Sequence, residues 1–311
     1  MASGHSEDVF HHVRDSQVFE LPRFLGGEWH IPQLFGDFFP ITKFMVLEVV
    51  AGLITLVIFR TLAQKIANGE PVRGRFWNFW EAIALFLRDE VVRPTIGDGH
   101  GHGDHGDEHG HGDHGHGSHA DHGHGSHGHE QHSSGWHPAD KFLPYIWSTF
   151  FFILLCNLLG AIPWMGSPTG HIWVTGVLAI GTFAVVVMAG VGELGIGGFL
   201  ASLVPPIDAP GPLKLLLVPG IFFLELVGLF IKHGVLAVRL FANIMAGHTV
   251  ISVILGFILA ASDSALVYAV APASVLGQVG VGLLELFVAF LQAYVFVFLS
   301  TVFIGAATHP H

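Results

Sequence analysis

The sequence holds 311 residues, of which 51% are hydrophobic and only 12% charged, with a mean hydropathy of +0.59. An ordinary soluble domain carries about 25% charged residues, so the composition excludes a soluble globular protein and points to a chain that crosses a membrane several times. The formal net charge of −11 identifies no partner, because many of the acids sit near the N-terminus and in one low-complexity tract; nothing in the pattern suggests nucleic acid. The single Cys156 excludes an intramolecular disulfide, and its apolar surroundings suit a buried thiol.

Residues 1–40 read as a polar, partly structured extramembrane segment, with His11, His12, Arg14, Asp15, Glu20 and Arg23 preceding any long apolar run. No cleavable signal peptide is visible there. The first span is predicted from about Ile41 to Leu62. Arg60, Lys65, Arg73 and Arg75 cluster at or beyond its end, which by the positive-inside rule makes that loop cytoplasmic and puts the N-terminus outside. Residues 76–93 mix aromatic and apolar positions with charges at helical spacing and predict an amphipathic helix on the cytoplasmic surface; it closes a segment of residues 41–96.

Residues 97–137 form a tract of Gly, His, Asp, Ser and Glu, with fourteen histidines from His100 to His137. Such a composition cannot bury a core and should be disordered. Imidazole ligates transition metals, but the repeats lack the fixed spacing of a closed structural site, so no specific metal site is expected. Residues 138–191 then read as a transmembrane hairpin: Phe142 to Ile162, ended by Pro163, and Ile172 to Val191.

Residues 192–311 begin with a Gly- and Pro-rich connection and continue with two unusually long apolar segments. Proline is absent between Pro219 and Pro272, so one helix can run from about Gly220 to Ala260, ~60 Å at 1.5 Å per residue, twice the hydrocarbon thickness. The apolar piece after His248 is too short for a span of its own, and a steeply tilted continuous helix is the better solution. A second long helix is expected from Ala271 to Ala307. The fold class is therefore all-α: about five transmembrane helices, one surface amphipathic helix and a C-terminal hairpin of two long tilted helices.

After Lys141 the chain has only three basic residues, Lys214, Lys232 and Arg239. Arg239 stands in the apolar run Leu236-Ala-Val-Arg239-Leu-Phe-Ala-Asn243-Ile-Met-Ala-Gly247-His248. A charge near the bilayer centre costs at least ~2.5 kcal/mol and usually marks an ion or substrate pathway, and arginine cannot lose its proton to escape that cost. At 100° per residue Glu225, Lys232, Arg239 and Asn243 share one stripe. On the partner helix Glu285 and Gln292 are a heptad apart. If Arg239 lies level with Gln292 in an antiparallel pair, His248 lies near Glu285. The structural alternative is an Arg239 ion pair with Glu225 or Glu285 that holds helices together.

The run from Arg239 to Gly247 resembles the signature of subunit a of the F-type ATP synthase, bacterial type. Asp140-Lys-Phe-Leu-Pro-Tyr, Cys156-Asn157-Leu-Leu-Gly160-Ala-Ile-Pro163 and Pro168-Thr-Gly-His-Ile agree with it, and the likeness spans most of residues 40–306 outside the His-rich tract. The resemblance implies a non-catalytic stator subunit of a rotary synthase, multi-pass in the bacterial inner membrane with its C-terminus cytoplasmic. Nucleotide chemistry would lie on other subunits. The implied partners are the rotor c-ring, the peripheral-stalk subunit b and lipid, and no cofactor is implied. Arg239 matches the essential arginine that faces the rotor and separates two half-channels, with Asn243 and Gln292 beside it. His248 and Glu285 match a titratable pair of the outer half-channel, in reversed order relative to some relatives, and Glu225 an acid of the inner one. Gly228 and Val235 depart from small hydroxyl residues common in the family, and His233 stands where proline is usual. A rival reading, a metal-ion transporter with a His-rich cytoplasmic loop, needs His/Asp ligands inside the spans, and no HxxxD or HxxxE pair occurs there.

Overall fold

The apolar runs fold as five helices long and apolar enough to cross a membrane. The computed structural model describes residues 16, 18–20, 27–32, 41–67, 74–97, 137–162, 165–204 and 211–308; the His-rich stretch 98–136 lies outside them. In chain order come a small hairpin, β1 (Val18–Glu20) and β2 (Glu28–His30), then α1 (Lys43–Ala67) and α2 (Arg75–Phe86). A π-helical turn (Leu87–Val92) leads into α3 (Arg93–Gly97). The chain resumes with a 3₁₀ turn (Pro138–Phe142), α4 (Leu143–Gly160), a second 3₁₀ turn (Pro168–Gly170), α5 (Ile172–Ser202), α6 (Gly211–Ala261) and α7 (Val267–Thr308).

The hairpin was not legible in the polar N-terminal segment. It is antiparallel, with Phe19 opposite Trp29, and Phe19 and Ile31 pack on Phe44 and Leu47 at the start of α1. The 75–97 stretch is amphipathic as expected, but its apolar side is not left to lipid alone. Trp80, Ala84, Leu87, Val91, Val92 and Ile96 are buried, most of them in the main core with Ile146, Phe150 and Phe151 of α4 and Phe296 and Ile304 of α7. Its end presses so closely on α7 that a Cβ at Gly305 would come within 2.7 Å of the Thr95 carbonyl oxygen. Arg93 grips Asp140 with two hydrogen bonds of 3.1 and 3.0 Å and also reaches Asp89. The Asp140 carboxylate holds the Arg93 guanidinium charged above its ordinary range. The Arg88 hydrogen bond, with the charges of Arg88 and Arg93, holds the Asp89 carboxyl below its ordinary range against a smaller opposing effect of burial.

His137 and Asp140 cap the entry to α4 reciprocally, and Pro138 follows the cap residue, the position where a missing N–H costs nothing. The third span was expected to end near Val191 and give way to a connection. Instead α5 continues to Ser202, broken only at Gly195, whose φ of 69° is outside helical geometry. Glycine carries that turn without a Cβ penalty, so a Gly-rich composition here marks an interrupted helix.

The long helices start earlier than the prolines suggested. Pro219 lies inside α6 and Pro272 inside α7. At the α7 end the backbone tightens first, with Val267 N–H donating to Ser264, Tyr268 to Ala265 and Ala269 to Leu266. Such 3₁₀-type bonds satisfy the first N–H groups of the helix, which have no partner within it. With 51 and 42 residues, α6 and α7 are ~75 and ~63 Å long, and neither can cross a bilayer upright.

Candidate functional site

α6 and α7 are joined by residues 262–266 and pack against each other. Two contacts fix an antiparallel register: Gly247 lies against Glu285, and Gly277 against Ile254. Counting along both helices from these points puts Arg239 level with Gln292, the condition from which the spacing placed His248 near Glu285. From Glu225 to His248 the polar stations of α6 climb ~35 Å, about the thickness of the hydrocarbon core.

Arg239 is half-buried on the outward side of α6. Val235 and Val238 beside it are 50% and 54% exposed, whereas Leu236, Ala237, Leu240 and Ile244 on the opposite side are buried. The inward side holds the helix to the bundle, and the arginine side is left uncovered by the described residues. Among the described residues no ion pair or hydrogen bond holds the Arg239 guanidinium. The structural alternative therefore fails on both of its partners: Glu225 pairs with Lys232 at 3.2 Å, and Glu285 makes no pair with Arg239. Asn243 is half-buried one turn beyond the arginine. Gln292 is 6% exposed, and its Nε2 is buried without a partner among the described residues.

Glu285 and His248 are brought to the same level but not hydrogen-bonded to each other. The Glu285 side chain rests on Gly247, where a Cβ would stand 3.1 Å from its Oε1. That oxygen and His248 Nε2 are both buried, and neither has a partner among the described residues. Glu225 lies apart from this pair, near the other end of α6, with its side chain 46% exposed.

Sequence reasoning quoted Asn157 and Pro168-Thr-Gly without giving them work, and the structure supplies it. Asn157, 1% exposed, donates from Nδ2 to the Ala289 carbonyl of α7 at 3.3 Å. Its Oδ1 accepts from the Thr169 hydroxyl at 2.7 Å, and Thr169 meets Ser167 at 2.8 Å. The turn fits against α4 only because Gly160 has no side chain, since a Cβ there would fall 2.3 Å from that of Ser167. On its other side Gly170 packs on Ile244 and Met245 of α6. One buried polar cluster thus ties α4, the 168–170 turn and α7 together midway between Glu285 and Gln292. The available signal was an asparagine inside an apolar span, costly unless bonded.

His233, at the position usual for proline, faces the core and not the arginine side. It is 4% exposed, its Nδ1 lies 2.8 Å from the Leu229 carbonyl, and its ring sits between Phe183 of α5 and Phe303 of α7. The i−4 carbonyl that proline would leave without its usual bond is bonded here by the imidazole as well as open to the helix ladder, so the departure is accommodated locally. Gly228 is open to its surroundings.

The model of the family described as ATP synthase A chain matches residues 129–305. The chain belongs to that family. Curated relatives agree along nearly the whole chain. ATP synthase subunit a of Anaeromyxobacter dehalogenans (strain 2CP-1) is 32% identical, covering 99% of this chain and 72% of its own. That of Chloroherpeton thalassium is 35% identical over 96% and 76%. That of Chlorobium phaeobacteroides is 34% identical over 99% and 78%. The resemblance read from the arginine motif is thereby shown to be one of F-type ATP synthase subunit a.

Proposed function

We propose that this chain is the stator subunit that carries two offset proton half-channels and exchanges protons, at Arg239, with a carboxyl group on a rotor ring. Membership of the subunit a family makes it part of the proton-translocating membrane sector of an ATP synthase. The observation that carries the finer reading is Arg239 on the open side of α6, unpaired among the described residues and level with the buried amide of Gln292.

A rotor carboxyl travelling through lipid must be neutral, and must ionise briefly when it passes the stator. A permanent positive charge within a few ångströms favours the ionised form. The same charge repels a proton that would otherwise cross straight between the half-channels. His248 and Glu285 offer titratable groups on the outer side of that barrier, and Glu225 offers one on the inner side. Asn243 and Gln292 supply amides beside the guanidinium. Each charge moved through 100 mV yields ~2.3 kcal/mol, so several transfers are needed for each ATP. The nucleotide chemistry belongs to other subunits, a peripheral-stalk subunit b holds this one against the rotor, and the setting is the bacterial inner membrane with the N-terminus outside and the C-terminus cytoplasmic. The metal-transporter reading gains no observation: among the described residues no group of three His, Cys, Asp or Glu side chains could hold a metal.

The test is a cysteine cross-linking map in the assembled complex. Val235→Cys and Ala242→Cys, on the arginine side, should form disulfides with cysteines on the outer helix of the rotor ring. Leu236→Cys and Leu240→Cys should form none. Cross-links from the buried side alone would overturn the proposal.

A further inference from the structure

Away from α6 and α7, a groove of about 820 Å³ lies between α1 and α4, within the ~300–1,000 Å³ of small-molecule sites. The two helices are antiparallel here, because Phe59 meets Trp147 and Phe151, while Ala51 packs with Leu155 and Cys156. On α1 the groove runs from Gly52 to Ala63, and on α4 from Phe152 back to Pro144. Its floor is open at Gly52, where a Cβ would meet nothing within 4 Å. Leu56, Phe59 and Phe152 make its walls apolar, and Arg60 is the one charged residue that lines it. Arg60 is exposed and has no partner among the described residues.

We propose that this groove binds one anionic phospholipid, with the phosphate on Arg60 and an acyl chain laid toward Gly52. Depth argues for a lipid over a partner's transmembrane helix. From Ala63 to Gly52 the groove descends ~16 Å, half of a ~30 Å hydrocarbon core, which is the length of one leaflet. A crossing helix would need a contact surface of twice that depth. Charge agrees, since a guanidinium fork matches phosphate oxygens and sits at the end where a headgroup would lie. The opposite end carries no charge, as the middle of a bilayer requires.

The assembled synthase is reconstituted in phosphatidylethanolamine vesicles doped with phosphatidylglycerol bearing a photoreactive acyl chain, or with phosphatidylcholine bearing the same chain. Labelled peptides are then located by mass spectrometry. Phosphatidylglycerol should label residues 52–59 and 144–152 about fivefold more than phosphatidylcholine, the ratio expected for one headgroup-level arginine. Arg60→Gln should bring that ratio to about one, and Gly52→Leu should lower labelling by both lipids. Equal labelling by the two lipids in the unaltered complex would overturn the proposal without touching the proton path, as would a disulfide from Gly52→Cys to a helix of another subunit.

Discussion

Gly247 and Glu285 lie in tight contact: a Cβ at the glycine would sit 3.1 Å from the carboxylate oxygen, so a larger side chain there must displace it. The glycine therefore seats Glu285 at the level of His248. Gly247→Val should push Glu285 aside and reduce proton flow through the membrane sector about tenfold or more, since ångström displacements at a reacting group cost that much. Gly256→Ala, on the same helix but facing open space, is the control and should leave flow unchanged. Equal effects of both would mean that helix flexibility, and not the seat of Glu285, is what matters. The pair itself makes a second prediction. Replacing His248 or Glu285 singly by Ala should slow proton uptake, whereas His248→Glu combined with Glu285→His should restore much of it, because both groups serve one passage. Strictly additive losses in the double-mutant cycle, with no rescue by the swap, would show two independent sites.

At the scale of elements, the 75–97 helix is held to the bundle both by its buried face and by the Arg88–Asp89–Arg93–Asp140 cluster. Because the folded state keeps Asp89 ionised below its ordinary range, its contribution to stability is present at neutral pH. It is full above the ordinary carboxylate range and is lost progressively as pH falls from there through the lowered value. The side chain is 44% exposed, so the effect is small and salt-sensitive. The thermal stability of Asp89→Asn in detergent should trail the unaltered chain by a constant margin from neutral pH down to about 5, and the margin should close only well below the ordinary carboxylate range. A margin that closes before pH 5 would contradict the pairing. The long helices themselves were legible in the sequence because apolar length in a bilayer leaves few solutions. Their starts were not, since Pro219 and Pro272 stand as the ninth and sixth residues of their helices, where a proline removes one ladder bond and reads in the sequence as a boundary although the helix continues through it. Nor was the continuation of α5 past Val191 legible, because one glycine in a left-handed conformation reads the same as a loop glycine until the backbone is seen.

For the whole molecule, the face of α6 that bears Arg239 is left open by the described residues while the opposite face is packed. The register itself comes from the packing of Gly247 on Glu285 and Gly277 on Ile254, but the arginine, and the tie between its level with Gln292 and that of His248 with Glu285, could be read from spacing. The cluster around Asn157 could not, since it joins residues more than a hundred positions apart through a backbone carbonyl that no side-chain pattern reveals. The predicted disorder of the His-rich tract lies outside the described residues. The central claim is tested most directly by ATP-driven proton pumping in membrane vesicles carrying Arg239→Ala. The account predicts complexes that assemble in normal amount and pump no protons, whereas pumping at the unaltered rate by assembled Arg239→Ala complexes would contradict it.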